Sequence, residues 1–293
     1  MISRREFLES VAKIGAAAAV LPGCAPRLGG VDTGGVTVND IHSQLNPTQV
    51  QRIIRPASVE AVQEIVREAR ASDRTLSIAA GRHAMGGQQF ATGSTLIDMN
   101  GLARVIELDR VNGEIEVEAG IQWPELYGYL IDNQQPGTGA WTFVQKQTGA
   151  DRLSIGGALA ANAHGRGLKY PPIVGDIAAF TLVGPDGVVR RCSRTENREL
   201  FRAAIGGYGL FGVVTTVRLR LTRRHKVQRV VEVLNARDLP LMFEQRIAEG
   251  FEYGDFQFAT DLQSDALERG VFSCYRPVAD STPMPASRAA LSP

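Results

Sequence analysis

Three glycine-rich corners, each beside a predicted strand, constrain the fold of this 293-residue chain more than any other feature. They read GRHAMGGQ from Gly81, SIGGALAANAHG from Ser154 and GGYGLFG from Gly206. Because glycine has no Cβ, the backbone amides of such corners can approach a ligand closely, and successive N–H groups form a concavity suited to a pyrophosphate. One corner alone would be weak evidence. Three in one region predict a large phosphate-bearing cofactor that lies across them.

On both sides of these corners, apolar residues recur at the spacing typical of helices or of strands. The stretch SVEAVQEIVREAR puts its apolar residues on one face of a helix, and Ser58 is placed to cap the first turn. Short runs such as TLSIAAG and STLIDM and the alternating GEIEVEAG predict strands, and IAAFTLVGPDGVVRRCS predicts a hairpin that turns at GPDG. From about residue 226, strand and helix patterns begin a second unit. The chain is therefore predicted to have an α+β fold.

The composition is that of an ordinary globular protein, with 44% apolar residues, 22% charged residues and a formal net charge of +1. Neither sign of charge dominates, and no basic patch interleaved with aromatic residues is present, so no nucleic-acid partner is expected. Cys24, Cys192 and Cys274 lack zinc-like or CxxC spacing. We therefore predict neither a metal site nor a disulfide framework.

The first 24 residues have the pattern of an export signal. Arg4 and Arg5 form a twin arginine, and the small apolar run that follows is too short and too rich in Ala and Gly for a stable membrane span. An ordinary amphipathic helix is the alternative. The sequence LPGC at Cys24 resembles a lipoprotein processing site, so Cys24 is a lipidation candidate. The predicted location is the periplasm, either free or anchored to the membrane by lipid, and residues 25–45 are predicted to be a linker.

Two common nucleotide-binding patterns are absent from the sequence. No G-x-G-x-x-G lies between a strand and a helix with an acidic residue about twenty positions later, and no P-loop is present. The GGYGLFG corner follows a predicted helix and precedes a strand, which is the reverse of the Rossmann order. The cofactor predicted from the glycine corners is therefore not expected to be bound by a Rossmann fold or by a P-loop.

The order of several motifs resembles the FAD-binding domain of the vanillyl-alcohol oxidase/PCMH flavoprotein superfamily over residues 46–225. The matching stretches are RPASVEAVQEIVREA, AAGRHAMGGQ, LIDM, VEAGIQWPELYGYL, LSIGGALAANAHG, LVGPDGVV and ELFRAAIGGYGLFGVVTTVRLRL. The segment from GGALAANAHG to LVGPDG is most similar to sugar, polyol and aldonolactone oxidases and to decaprenylphosphoryl-ribose oxidases. The resemblance implies two subdomains that hold FAD, followed by a cap domain, of which residues 226–293 would be a part.

The resemblance also implies which residues bind FAD. The first corner would cradle the pyrophosphate and the flavin edge, the second would line the opposite side, and two valines would lie near the adenosine end or the ring system. The predicted FAD-binding residues are Gly81, Arg82, His83, Ala84, Met85, Gly87, Gln88, Ser154, Gly157, Asn162, Ala163, His164, Gly165, Val213 and Val214.

His83 stands where some members of the superfamily bond the flavin 8α-methyl carbon to an imidazole nitrogen, and a neutral imidazole is a competent nucleophile. The alternative is that His83 only hydrogen-bonds within its loop. For His164, contact with the flavin or phosphate and a role as a buried packing histidine both stay open. Asp98, Glu116 and Glu118 are expected to be solvated positions and not a catalytic pair, and no catalytic base is assigned.

The resemblance implies an FAD-dependent oxidoreductase, and the N-terminal signal pattern predicts that it is exported. Its flavin would take a hydride from the CH–OH group of a sugar, polyol, lactone or hydroxy acid, and dioxygen or another acceptor would reoxidise it. Only a few cap strands are visible in the sequence. The alternative is therefore an FAD-binding module without a complete substrate site, which would need a partner chain.

Overall fold

A computed structural model describes residues 35–135, 137, 139–146, 151–261 and 266–284. The predicted export signal, the lipidation candidate Cys24 and the first ten residues of the predicted linker lie outside the described residues. The described part of the chain contains both helices and strands, and they lie largely in separate layers. The predicted α+β fold is therefore confirmed.

The elements are numbered along the described part of the chain. The strands are β1 (Val36–Val38), β2 (Thr48–Val50), β3 (Arg52–Ile54), β4 (Leu76–Ala79), β5 (Thr95–Asp98), β6 (Val105–Asp109), β7 (Glu114–Glu118), β8 (Trp141–Phe143), β9 (Ile177–Val183), β10 (Val189–Ser193), β11 (Val213–Arg223), β12 (Lys226–Asn235), β13 (Tyr253–Phe258) and β14 (Arg269–Val278). The helices are α1 (Val59–Ala71), α2 (Trp123–Asp132), α3 (Ile155–Ala160), α4 (Arg198–Ala204) and α5 (Leu239–Ala248).

A small parallel sheet with the order β3-β5-β4 and helix α1 form the first layer. The Ser58 hydroxyl caps α1 by accepting a hydrogen bond from the Ala61 amide at 3.2 Å, as the sequence predicts. The buried face of α1 consists of Val62, Ile65, Val66 and Ala69. The three larger side chains, Val62, Ile65 and Val66, share a core with Ile97 and with strands β9 and β11 of the larger sheet. Each fully buried Val or Ile contributes about 1.5–3 kcal/mol.

The larger sheet is antiparallel, with the order β10-β9-β11-β7-β6, and β8 also pairs with β11. Its β9–β10 hairpin turns at GPDG, with Val183 opposite Val189. Helices α2 and α3 cover the sheet, where Leu126 and Leu159 are fully buried beside Phe180. This apolar layer is the main core of the region.

A short seam joins the two sheets at Ala119–Ile121. The Ala119 amide donates to the Thr215 carbonyl at 2.9 Å, and the Gly120 amide donates to the Leu102 carbonyl at 2.8 Å. A Cβ on Gly120 would lie 1.9 Å from the Met99 carbonyl oxygen, so no residue with a side chain fits there. The seam therefore fixes how β5 and β11 approach each other.

Strands β12, β14 and β13 form a separate antiparallel sheet, and α5 packs against it around Phe272 and Cys274. Two backbone hydrogen bonds tie this unit to the preceding region. Leu168 N–H donates to the Glu252 carbonyl at 2.8 Å, and Gly254 N–H donates to the Arg166 carbonyl at 2.9 Å. The patterns after residue 226 thus form a strand and helix unit, in line with the second unit expected from the sequence.

The structure differs from the sequence-based expectation at two places. Residues within the predicted linker 25–45 form β1, which pairs antiparallel with β2, because the buried Val38 packs into a small core with Val50. Asp98 and Glu118 are not solvated, since their side chains are 4% and 6% exposed. Arg55 and Arg104 pair with them and offset the cost of burying the charges. Among the described residues, none of the helices has the length and apolar character needed to cross a membrane.

We predict that Asp98→Ala lowers the free energy of unfolding by about 2 kcal/mol, because it removes buried, charge-assisted hydrogen bonds. The Asp98 carboxylate accepts two from Arg55, at 3.1 and 2.7 Å, and two from Asn100, at 3.1 and 2.7 Å. Urea unfolding followed by circular dichroism measures the loss. Glu68→Ala is the matched control, because its pair with Arg52 is about half-exposed and is worth about 0.5 kcal/mol or less. Equal losses in the two variants would contradict the prediction.

Candidate functional site

A cavity of about 290 Å³ lies where the three glycine-rich corners meet. Its wall consists of residues 78–84, 88 and 89 of the first stretch, of selected residues within 153–161 and 204–214, and of Met99 and Ala119. Most of the lining residues are Gly, Ala or larger apolar residues, and none of those identified in the described part of the chain is Asp or Glu. The cavity is therefore shaped by backbone and small side chains, and it contains no carboxylate that would repel an anion.

The first corner follows strand β4 and passes close to the second corner. A Cβ on Gly81 would lie 2.5 Å from the Arg152 carbonyl oxygen, so this approach of two backbones requires glycine. Arg82 adopts a left-handed conformation with φ of 53°, and its carbonyl accepts a hydrogen bond from Ile41 N–H at 3.0 Å. These constraints hold residues 81–83 against the cavity.

His83 lines the cavity, and its two ring nitrogens have different surroundings. Nδ1 lies 2.6 Å from Nε2 of His42, which is a hydrogen-bond distance. Nε2 is buried, and no described residue lies in full hydrogen-bond geometry with it, although the Arg152 carbonyl is near enough to the ring to raise the pKa of His83. Burial lowers the pKa of His83, the adjacent His42 lowers it further, and the Arg152 carbonyl opposes both. The ring is therefore held in its neutral form at neutral pH.

The second corner forms the short helix α3. The Ser154 hydroxyl accepts a hydrogen bond from the Gly157 amide at 3.3 Å, which starts the helix. Gly156 N–H donates to the Ala119 carbonyl at 2.7 Å, and this bond ties α3 to the seam between the sheets. Because of this bond, the first turn of α3 stays at the cavity wall.

The third corner packs on the end of α3. Gly206 N–H donates to the Leu159 carbonyl and Tyr208 N–H donates to the Ala160 carbonyl, each at 3.0 Å. Tyr208 and Leu210 are exposed, at 60% and 85%, so the corner presents apolar surface at the rim of the cavity. The three corners are thus joined by backbone hydrogen bonds or close backbone contact.

The structure brings about half of the predicted FAD-binding residues to the cavity wall. Those that line it are Gly81, Arg82, His83, Ala84, Gln88, Ser154, Gly157 and Val214. The predicted residues outside that wall are Met85, Gly87, Asn162, Ala163, His164, Gly165 and Val213.

Local contacts explain why those positions lie off the wall. Met85 is 58% exposed, and its carbonyl accepts a hydrogen bond from the Asn46 side chain at 2.8 Å. The Asn162 side chain accepts from the Val174 amide at 3.3 Å. His164 is exposed and contacts the Gly165 carbonyl at 3.1 Å, so the packing alternative for His164 is wrong. Val213 is buried in the core with α1.

Sequence reasoning missed two polar residues near the site. His42 lies in the segment that was predicted to be a linker, and nothing in the sequence near it points to His83. Gln89 lines the cavity, and both polar atoms of its amide are buried without a hydrogen-bond partner in the described residues. The doubled Gln in MGGQQ was the one available signal for Gln89.

The residues present fit a flavin dinucleotide. Arg82 and the absence of carboxylates favour a pyrophosphate, and the apolar lining suits a flat aromatic ring. The amide of Gln89 can both donate and accept hydrogen bonds, which suits the polar edge of such a ring. Among the described residues, no three of His, Cys, Asp and Glu gather into a metal-binding group.

Comparison with known proteins supports this fit. Residues 50–193 match a family profile described as FAD binding domain. The chain is 28% identical to L-gulonolactone oxidase from Mus musculus over 57% of this chain and 36% of that protein. It is 30% identical to cytokinin dehydrogenase 4 from Oryza sativa subsp. japonica over 62% of this chain and 35% of that protein.

A further relative is the mitochondrial L-galactono-1,4-lactone dehydrogenase from Arabidopsis thaliana, which is 28% identical over 50% of this chain and 23% of that protein. The chain therefore spans well under half the length of these relatives.

Proposed function

We propose that the chain, whose residues 50–193 match an FAD binding domain, belongs to the vanillyl-alcohol oxidase/PCMH superfamily and acts as an FAD-linked oxidoreductase. Its substrate is the CH–OH group of a sugar, polyol, lactone or hydroxy acid. The cavity without carboxylates, formed where three glycine corners meet, is the observation that carries the proposal. The names of the lactone oxidase and lactone dehydrogenase relatives support a sugar-like substrate.

FAD supplies the redox chemistry when bound, by accepting a hydride from the substrate carbon and passing electrons to dioxygen or another acceptor. The protein's own residues bind and orient it. Residues 81–84 and the first turn of α3 line the cavity, where they would suit the pyrophosphate and the flavin edge. Arg82 offsets phosphate charge, and the apolar wall excludes water from the ring.

His83 is proposed to bond covalently to the flavin 8α carbon. The lowered pKa keeps the ring neutral, and a neutral imidazole has the lone pair that a nucleophile needs. The close backbone contact at Gly81 holds the ring at the cavity wall. Both features favour a covalent bond between His83 and the flavin over the alternative, in which His83 only hydrogen-bonds within its loop.

The substrate proposal predicts that a CH–OH compound reduces the bound flavin. Purified chain is mixed without oxygen with a panel of aldonolactones, sugars, polyols and hydroxy acids, and the visible flavin band is followed. At least one compound should bleach the band, and admitting air should restore it. Dithionite is the control that shows a reducible flavin. A yellow chain that dithionite alone bleaches would contradict oxidoreductase activity and favour a flavin-binding module that needs a partner chain.

The tether proposal predicts that flavin colour stays with the acid-precipitated protein. His83→Ala should release the colour to the supernatant, because the nucleophile is lost, while the variant still binds FAD before precipitation. His225→Ala is the matched control, since His225 pairs with Glu252 and does not line the cavity. A yellow supernatant from the unmutated protein would contradict the covalent bond to His83, but it would not contradict FAD binding.

Export by the twin-arginine route, with lipid anchoring at Cys24, is proposed from the sequence pattern of residues 1–24. That route carries proteins that fold and load a cofactor before export, which suits a tethered flavin. Fractionation of cells that produce the full chain tests it. Cytoplasmic accumulation of the unmutated chain would contradict the proposal.

A further inference from the structure

A group of exposed apolar side chains lies beside the first corner. The side chains are Ile41, Leu45 and Met85, which are 50%, 79% and 58% exposed. Ile41 and Leu45 belong to the connection between β1 and β2, and Met85 belongs to the first corner. These three side chains are called the apolar patch below.

Hydrogen bonds hold the two segments of the apolar patch side by side. The Ile41 amide donates to the Arg82 carbonyl at 3.0 Å, and the Asn46 side chain donates to the Met85 carbonyl at 2.8 Å. The Ser43 hydroxyl donates to the same Met85 carbonyl at 3.3 Å. The patch therefore belongs to one surface, and grouped apolar exposure of this kind marks an interaction site more often than single exposed side chains do.

The two segments that carry the apolar patch lack strongly charged side chains. Neither residues 41–51 nor residues 84–97 contain Asp, Glu, Lys or Arg. Asp40, which precedes the first segment, is 2% exposed, and its carboxylate accepts hydrogen bonds from the amides of His42 at 2.9 Å and Ser43 at 2.6 Å. This carboxylate is therefore used inside the turn that it builds. An aliphatic surface without ions can enter the boundary between lipid headgroups and acyl chains, because no charge has to be buried there.

The composition of the two segments fits a lipid surface better than a protein partner. Protein interfaces are typically centred on Trp, Tyr or Arg. Residues 41–51 and 84–97 contain none of these three residue types. Aliphatic side chains, in contrast, are sufficient for contact with acyl chains.

The length of chain before the apolar patch also favours a lipid surface. Val36, at the start of β1, lies 12 positions after the lipidation candidate Cys24. A fully extended chain of this length spans about 40 Å at most, so a lipid on Cys24 would keep β1 within about 40 Å of the bilayer. Among the described residues, Ile41 and Leu45 are the exposed large apolar side chains that follow Val36 most closely in sequence.

We propose that the apolar patch docks on a lipid surface, so that the side chains of Ile41, Leu45 and Met85 enter the boundary between headgroups and acyl chains. The inference rests on the proposed export and lipid anchoring, and it does not presume FAD. It adds an orientation on the membrane. Ala84 and Gln88 of the same corner line the cavity, so docking brings this wall of the proposed FAD site to the bilayer.

Polarity-sensitive dyes on engineered cysteines test the docking. The full chain carries Leu45→Cys, Leu210→Cys or Val111→Cys and is mixed with vesicles of phosphatidylethanolamine and phosphatidylglycerol. Leu210 and Val111 are the controls, because they are 85% and 89% exposed and lie in the third corner and in the β6–β7 turn. On vesicles, the dye at position 45 should brighten severalfold and shift to shorter wavelength. The dyes at positions 210 and 111 should keep the emission that they have in water.

Two sets of these chains separate docking from lipidation. One set carries Cys24→Ser, and the other keeps Cys24 and is produced in bacteria that export it, with mass spectrometry to show whether Cys24 bears a lipid. Cys192 and Cys274 are buried, so the dye labels the engineered position. A failure of lipidation makes the two sets float equally with the vesicles, but it does not change which dye responds. A chain without flavin colour would contradict FAD binding and would leave the docking result valid.

A charge at the apolar patch tests how much it contributes to lipid binding. In the Cys24→Ser chain, Leu45→Asp should weaken partition onto the vesicles about tenfold, because the burial of one Leu side chain contributes about that factor. Val111→Asp is the matched control and should leave partition unchanged. Leu45 is largely exposed, so the fold should persist, and circular dichroism checks this.

Four results would overturn the inference. They are a response at position 210 or 111 without one at 45, equal responses at all three positions, no flotation of either set with vesicles, and unchanged partition for Leu45→Asp. A dye at position 45 that is bright before vesicles are added, in a chain that elutes as a dimer, would also overturn it and would assign the apolar patch to a second copy of the chain.

Discussion

The architecture depends on the close approach of backbones at the seam Ala119–Ile121. At Gly120 a Cβ would lie 1.9 Å from one carbonyl oxygen and 2.7 Å from another, so the chain can pass only as glycine. The residues on either side bond to β11 and to α3. One three-residue segment thus sets the relative position of the parallel sheet, the antiparallel sheet and the helix at the cavity wall.

The cavity follows from that arrangement. The first corner leaves the parallel sheet, whereas the second and third belong to the antiparallel side, and the seam brings the two sides together. A second tight contact, between Gly81 and the Arg152 carbonyl, brings the first and second corners so close that no side chain fits between them. The wall is consequently backbone and small residues, free of carboxylates in its described part, and this composition suits an anionic, flat cofactor.

Local patterns predicted much of the fold. The apolar face of α1, its Ser58 cap and the GPDG hairpin follow from helical and strand periods and from turn chemistry, which act within a few residues. The convergence of the three glycine corners on one site was predicted from their glycine content and from their position beside strands. The burial of Asp98 was not, because it depends on a partner 43 residues away, Arg55, whose pairing the sequence does not reveal.

In the site, too, the features set by local sequence were predicted, and those set by distant partners were not. His83 was singled out from its loop, but His42 reaches it across 41 residues through a turn built by Asp40. Residues 162–165 were predicted to bind FAD, and this stays a prediction; the Asn162 side chain accepts a hydrogen bond from the Val174 amide, and His164 is exposed. The contact of Asn162 with Val174 is a tertiary one, which the sequence around Asn162 does not reveal.

FAD is proposed to lie in the cavity between the three corners. Hydrogen–deuterium exchange of the chain with and without FAD tests this placement, since it reports which amides the cofactor shields. We expect slower exchange in residues 81–89, 153–161 and 206–212 when FAD is bound, and unchanged exchange in α5 (Leu239–Ala248). Protection confined to α5, or equal exchange everywhere with FAD bound, would contradict the placement.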